Sequence, residues 1–196
     1  MNEHFSIKEY ALIRKIPIIS DAALEILLVK LKEVQPERIL EIGTAIGYSG
    51  CQMLSACPFA KLVTVEINPE ACAVAKEIFV SAGFEHRVQL IEGDVNEVIG
   101  YIGGKFGFIL LDGPKGHYEQ LRPYLTELLE GGGVLFADNI LFKGYVNNGY
   151  TAHKHRTAVN SLEAFIKHMQ GDKRFIAELL NIGDGILIAY KKVLNN

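Results

Sequence analysis

Asp112-Gly-Pro-Lys115 and Asp138-Asn139 hold the side chains on which a reaction could turn. Each pair follows an apolar run, residues 106–111 in one case and 134–137 in the other. If those runs are neighbouring parallel strands, Asp112, Asp138 and Asn139 meet at equivalent strand ends. Three oxygen donors with no clustered His or Cys suit a hard cation, most naturally Mg²⁺ (or Mn²⁺), with water or substrate completing an octahedron. Lys115 lies three residues beyond Asp112 and can approach the same place. A lysine beside a dication is pushed towards its neutral form, which makes Lys115 a candidate general base and, with Asp112, the candidate catalytic pair. Taken singly, an Asp at a strand end is ordinary polar surface and a loop lysine is solvated charge. The paired occurrence selects the metal reading.

A second group of residues could hold a nucleoside. Glu41-Ile-Gly43-Thr-Ala-Ile-Gly47-Tyr-Ser49 follows an earlier apolar run, and its glycines permit a tight turn with close backbone approach to a ligand. It is not a G-x-G-x-x-G fingerprint, because Ala45 and Tyr48 stand at the second and third glycine positions, and a pyrophosphate cradle for NAD is poorly supported. Glu66 ends the next run, about 20 residues beyond the loop, where a carboxylate can accept bonds from both ribose hydroxyls. It could as well be a solvated strand-end charge. Gly93-Asp94-Val95 offers a carboxylate and an apolar neighbour to an adenine ring; Asp94 can equally cap the following helix, and the two roles are compatible.

The elements that must position these residues alternate in type. Ser20 caps a helix with Leu24, Leu27, Leu28 and Leu31 at helical spacing. Strands are expected at 38–42, 61–66, 88–91, 106–111 and 134–137. Asn68-Pro69 starts a helix that ends near Gly83, and another helix around 118–130 stops at Gly131-Gly-Gly133. Such alternation gives βαβ units and a parallel sheet covered on both faces. After a helix near 157–170, two strands at 175–180 and 186–190 are joined only by a short turn containing Gly183-Asp184-Gly185, so they form an antiparallel hairpin at the sheet's end. Residues 143–155 are the least patterned and read as a surface loop.

The 196 residues suffice for one domain with a sizeable core, and 49% apolar content suits a globular α/β protein. A net charge of −3 neither demands nor excludes a nucleic-acid partner. Three sparse cysteines, Cys51, Cys57 and Cys72, favour buried reduced thiols and a cytoplasmic setting. The polar start, residues 1–10, is no signal peptide, and no apolar run reaches the ~20 residues of a membrane span.

Together, Ile-Leu-Glu41-Ile-Gly-Thr-Ala-Ile-Gly-Tyr-Ser49, Glu66, Gly93-Asp94, Asp112-Gly-Pro-Lys115, Asp138-Asn-Ile-Leu-Phe-Lys-Gly144 and Gly183-Asp-Gly185 resemble the class I, metal-dependent O-methyltransferases of the catechol and caffeoyl-CoA type, family 3. The resemblance runs from about Ile16 to Lys192. It implies a single Rossmann-like domain over 1–196: a helical segment (1–35), a cofactor- and metal-binding core (36–140), a substrate loop (141–155), and a C-terminal helix and hairpin (156–196). Its sheet would have seven strands, mostly parallel, with the last antiparallel. It implies S-adenosylmethionine as cofactor, with Glu41, Ser49, Glu66, Asp94, Val95 and Asp112 at its site, Gly43 allowing close approach and Ile19 adding a contact. Asp112, Asp138 and Asn139 match the metal ligands and Lys115 the catalytic lysine; homodimers are common in the family. Within it, Asp138–Gly144 and the loop to Ser49 look like the bacterial enzymes that methylate 5-hydroxyuridine in tRNA.

A metal that grips two adjacent oxygens serves 5-hydroxyuridine and a catechol alike. A tRNA substrate predicts a basic mouth formed by Lys143, Lys154, Arg156 and Lys115. A small catechol predicts an apolar slot walled by Phe142, Tyr145 and Tyr150. An NAD-dependent oxidoreductase is disfavoured by Ala45 and Tyr48, and a non-catalytic nucleoside-binding module by the intact set Asp112, Lys115, Asp138 and Asn139.

Overall fold

A computed structural model describes residues 6–146 and 152–193. Helix α1 (Ile7–Arg14) opens on a capping box in which Ser6 and Glu9 exchange side-chain-to-backbone bonds. Helix α2 (Asp21–Val34) is capped by Ser20 and buries Leu24, Leu27 and Leu31. Strand β1 (Arg38–Ile42), helix α3 (Tyr48–Ala56), strand β2 (Lys61–Glu66) and helix α4 (Pro69–Ser81) follow. Asn68 accepts from the amides of Glu70 and Ala71, so the Asn-Pro start forms as expected. Strand β3 (Val88–Glu92), the short helix α5 (Val95–Val98), strand β4 (Phe106–Leu111), helix α6 (Tyr118–Leu128) and strand β5 (Leu129–Asp138) complete the parallel part. Helix α7 (Arg156–Gly171) then leads to the hairpin of β6 (Phe175–Leu180) and β7 (Ile186–Lys191).

One sheet of seven strands runs in the order β3-β2-β1-β4-β5-β7-β6. The pairings β1–β2, β1–β4, β2–β3 and β4–β5 are parallel. Strand β7 is antiparallel to both its neighbours, with Asp138 opposite Ile186 at its start. Alternate residues of each strand feed two cores. Phe108, Leu110 and Phe136 join the α2–α4 side, and Ile109, Leu111 and Leu135 join the side of α6 and α7. Because both faces are covered, the central strands read as unbroken apolar runs.

One expectation is corrected. Helix α6 ends at Leu128, before the glycines, and Gly131–Gly133 lie within β5. Leu129 is fully buried and pairs with Phe106, so extending the strand gains a core residue that a longer helix would have withdrawn. The β4–β5 register shifts between Phe106 and Phe108 to absorb the extra length. Among the described residues no helix is long and apolar enough to cross a membrane.

Phe136 is fully buried and stacks on Phe108 at 6.4 Å between ring centroids. Phe136→Ala should destabilise the fold by about 3–5 kcal/mol through the transfer and cavity costs of a lost core ring. Denaturant unfolding measures this, and a loss below about 1 kcal/mol would mean that the core closes around the gap.

Candidate active site

The carboxyl ends of β1, β2, β4 and β5 surround a cleft of about 480 Å³. Here the chain order reverses, with β2 on one side of β1 and β4 on the other, which is where open α/β sheets bind ligands. Gly43, Ser49, Glu66, Asp94, Val95 and Asp112 all line it. Ile19, with Pro17 and Ile18, forms its wall from the segment before α2, and Asn139 reaches it from the end of β5.

The loop after β1 is shaped by its neighbours. The amides of Gly43 and Thr44 donate to the carbonyl of Val65, tying it to the end of β2. Gly43 has φ +101°, and a Cβ there would lie 2.4 Å from the carbonyl oxygen of Asp112. No side chain fits that space, so glycine lets the end of β4 close over the loop.

Glu66 accepts from the amide of Ala45 at 2.8 Å through Oε2 and from that of Asn68 at 2.9 Å through Oε1. Each carboxylate oxygen has lone pairs beyond the one used, so both can also receive a ribose hydroxyl. Asp94 performs the capping role, accepting from the amide of Asn96 at 2.9 Å, and also lines the cleft. That backbone bond and a second from the Asn96 side chain hold its carboxyl below the ordinary value.

Glu41 sits differently from the other candidates. It is fully buried behind the cleft, where it accepts from Ser49 Oγ and, at 2.6 Å, from Thr64 Oγ1. Thr64 in turn shares a hydrogen bond with Thr44, a loop residue that lines the cleft. Burial pushes the Glu41 carboxyl up to about 7 despite these two donors, and the charges of Asp112 and Glu66 add to the rise. Glu41 therefore meets the cofactor cleft through Ser49 and Thr44. The register Glu41↔Thr64 across β1 and β2 creates this network, and sequence spacing gives no sign of it.

At the other end of the cleft, Lys115 Nζ donates to Asp112 Oδ1 at 2.9 Å, to Tyr118 Oη at 2.7 Å and to the carbonyl of Asp138 at 3.2 Å. Tyr118 Oη, fully buried, also bonds the carbonyls of Leu111 and Asp138. The expected neutral Lys115 belongs to a site with a dication beside it. Burial works against the ammonium, but Tyr118 and the Asp112 carboxylate outweigh it and raise the lysine above its ordinary value. With no dication beside it, Lys115 is thus a charged donor to all three partners. Tyr118 was legible only as the start of a helix, although its place three residues after Lys115 puts both on one turn.

Asp138 is 2% exposed. Its Oδ1 accepts from the amide of Asn139 at 2.8 Å, while Oδ2 is buried without a partner. Burial and the nearby Asp112 raise its carboxyl to about 6. Among the described residues no three His, Cys, Asp or Glu side chains cluster as a metal site, since this set has two carboxylates and one amide. Its donors are nevertheless all oxygen, and an orphaned buried carboxylate oxygen is what a hard cation would satisfy. The residues fit such an ion.

A doubly wound sheet with a nucleoside-sized cleft over its switch point, edged by acidic side chains, is the architecture of a nucleoside-binding α/β domain. The sequence profile of the O-methyltransferase family matches residues 4–192, and the chain belongs to that family. It is 36% identical over 126 residues to catechol O-methyltransferase B of Danio rerio, a match covering 58% of this chain and 46% of that protein. It is 30% identical over 169 residues to caffeoyl-CoA O-methyltransferase 2 of Populus trichocarpa, covering 81% and 68% of the two chains. The chain thus spans about half the length of the catechol enzyme and two thirds of the plant one. The structure of a candidate caffeoyl-CoA O-methyltransferase from Staphylococcus aureus superposes with TM-score 0.87 at 27% identity, covering 94% of this chain and 90% of that one. An O-methyltransferase of Bacillus cereus solved with SAH shares the fold at TM-score 0.85 and 21% identity, over 94% and 88%.

Two measurements check the cleft. Glu66→Ala should weaken S-adenosylmethionine binding at least about tenfold, as bonds to a charged acceptor are worth roughly 1.5–3 kcal/mol each; unchanged affinity in calorimetry would remove Glu66 from the site. Glu41→Gln should stabilise the cofactor-free protein at about pH 8 more than at about pH 5. The Glu41 carboxyl rises from 4.5 to about 7 on folding, so between these values the unfolded chain has lost a proton that the folded chain keeps. Wild-type stability therefore falls as pH rises through that window, whereas Gln has no proton to lose. A thermal-shift difference independent of pH would contradict the assignment.

Proposed function

We propose that the chain methylates the 5-hydroxyl of 5-hydroxyuridine in tRNA, with Mg²⁺ or Mn²⁺ held by Asp112, Asp138 and Asn139. The observation that carries this reading is a three-ring cluster beside Asn139. Phe142 meets Tyr145 edge-on at 5.8 Å and His155 edge-on at 5.4 Å, and Tyr145 stacks on His155 at 5.2 Å. A flipped-out base can stack on such rings, while Lys143, Lys154 and Arg156, all exposed on the same two segments, suit its phosphates. Tyr150, the other aromatic candidate, lies outside the described residues.

When bound, the cation would supply Lewis-acid polarisation and lower the pKa of the acceptor hydroxyl. The chain's residues would do the rest. Glu66 and the Asp94–Val95 pair hold the nucleoside of the cofactor, and Gly43 and Ser49 line the path from there to Asp112. The acceptor oxygen would attack the sulfonium methyl of S-adenosylmethionine, the C–S electrons would stay on sulfur, and the hydroxyl proton would pass to Lys115. Lys115, fixed by Tyr118 and Asp112, is the base for that proton, and a dication beside it would favour the neutral amine that accepts it.

A second reading is O-methylation of a small catechol-like molecule. The same rings would wall its slot, and relatives carry catechol and caffeoyl-CoA in their names. Incubating S-adenosylmethionine and Mg²⁺ with tRNA that carries 5-hydroxyuridine decides between them. Mass analysis of the nucleosides should show its methyl ether, and turnover of a free catechol with none on tRNA would install the second reading.

Two further outcomes are expected. Activity should vanish in EDTA and return with Mg²⁺ or Mn²⁺ while the fold persists, because a core of this size does not depend on one hydrated ion; full turnover in chelator would remove the metal. Replacing Lys154 and Arg156 together by Ala should weaken tRNA binding and flatten its salt dependence by about one log–log unit per lost contact, leaving catechol turnover unchanged. An unaltered salt slope would count against tRNA.

A further inference from the structure

Three non-glycine residues just beyond Asp138 adopt left-handed backbone: Asn139 (φ +53°), Phe142 (φ +47°) and Lys143 (φ +57°). Such conformations persist only where surrounding structure imposes them, and here the imposing element is the turn between β6 and β7. The amide of Ile140 donates to the carbonyl of Gly185 at 2.9 Å, and that of Leu141 to the carbonyl of Asp184 at 2.8 Å. The amide of Lys143 donates to Asp184 Oδ1 at 2.5 Å. Gly185 (φ +81°) presses directly on Leu141, whose Cγ lies 2.3 Å from where a Cβ would be. Within the loop, the amide of Phe142 returns to the carbonyl of Asn139. The segment carrying Asn139 and the ring of Phe142 is therefore clamped from outside by Gly183-Asp184-Gly185, to which the function described so far assigns no part.

We propose that Asp184 is a positioning residue for the reaction: its side chain and backbone hold residues 139–143 in their left-handed path, and so aim Asn139 at Asp112 and Asp138 and Phe142 at the acceptor. Asp184 is not among the residues that line the cleft. Its charge is also felt at Asp138, which places the turn beside the metal-facing carboxylates. The Glu66 and Asp94 end of the cleft lies on other strands and makes none of these bonds. Asp184 should thus govern the metal and acceptor side and leave cofactor affinity alone. The proposal rests on reading Asn139 as part of the catalytic site.

The test compares Asp184→Ala and Asp184→Asn in the full chain by three measurements: Mn²⁺ binding by electron paramagnetic resonance, S-adenosylmethionine binding by calorimetry, and amide hydrogen exchange. Asn keeps an acceptor oxygen for the Lys143 amide, and Ala does not. Asp184→Ala should weaken Mn²⁺ binding about tenfold, as expected for a lost bond to a charged acceptor, and hold S-adenosylmethionine within about twofold of wild type. Its Lys143 amide should exchange at least about tenfold faster. Asp184→Asn should restore most of both losses. Wild-type Mn²⁺ affinity in Asp184→Ala, an equal fall in Mn²⁺ and cofactor affinity, or no rescue by Asn would each overturn the proposal. If Asp184→Ala does not fold, exchange in the wild type decides, since an unprotected Lys143 amide is incompatible with the clamp. If wild-type protein binds no Mn²⁺, the metal reading fails, while Lys143 exchange in the two variants still judges the clamp.

Discussion

The carbonyl oxygen of Asp112 occupies the space that a side chain on residue 43 would need, and the cleft is organised around that contact. It is possible because β1 and β4 are parallel neighbours that stop at the same level, with Ile42 opposite Leu111. The amide of Asp112 donates to the carbonyl of Ile42, so the two strand ends are bonded where they separate. Beyond this point one chain turns into the loop that leads to α3, and the other turns towards Lys115 and α6. The cofactor loop and the residues of the reaction thus meet without any element between them. A methyl donor lying along Gly43 would be brought to Asp112 by backbone geometry alone.

Charge is arranged around the same point. Glu41, Glu66, Asp112 and Asp138 approach one another, and the electrostatic effects of Asp112 reach both Glu41 and Asp138. Burying acidic groups together is costly, and burial with the neighbouring charges raises the carboxyls of Glu41 and Asp138. The Lys115 ammonium offsets part of this charge at Asp112. A sulfonium cofactor and a divalent cation would offset the rest. The site is complementary to positive ligands at both ends.

Much of this was legible in the sequence. Strands β2, β4 and β6 fall where their apolar runs place them, and Asn68-Pro69 starts α4, because buried parallel strands and helix caps are local signals. That Gly43, Glu66, Asp94, Asp112 and Asn139 would share one end of the sheet was legible too, since a parallel sheet gathers whatever follows its strands. What escaped depends on pairing across distance. The end of α6 was misplaced because Gly131–Gly133 resemble a stop signal, while the burial of Leu129 against Phe106 overrides it. The Glu41–Thr64–Thr44 chain requires strand register, and the bond from Lys115 to Tyr118 requires Tyr118 to return beneath the strand ends.

The hairpin at the end of the chain shows how topology reaches the chemistry. Strand β5 ends at Asp138, and in the antiparallel pairing that residue faces Ile186, the first of β7. Whatever immediately precedes Ile186 must then lie over whatever immediately follows Asp138. A parallel strand in the same position would begin at the opposite end of the sheet and leave residues 139–143 uncovered. Strand β6, antiparallel to β7, arrives at the same end, so the turn from Leu180 to Ile186 crosses directly above the site. Reversing one strand in an otherwise parallel sheet therefore supplies a support for residues 139–143 that no βαβ unit could provide. It also explains why glycines flank Asp184: the turn must be tight enough to fit between Leu141 and β7, and Gly183 and Gly185 both take positive φ to make it so.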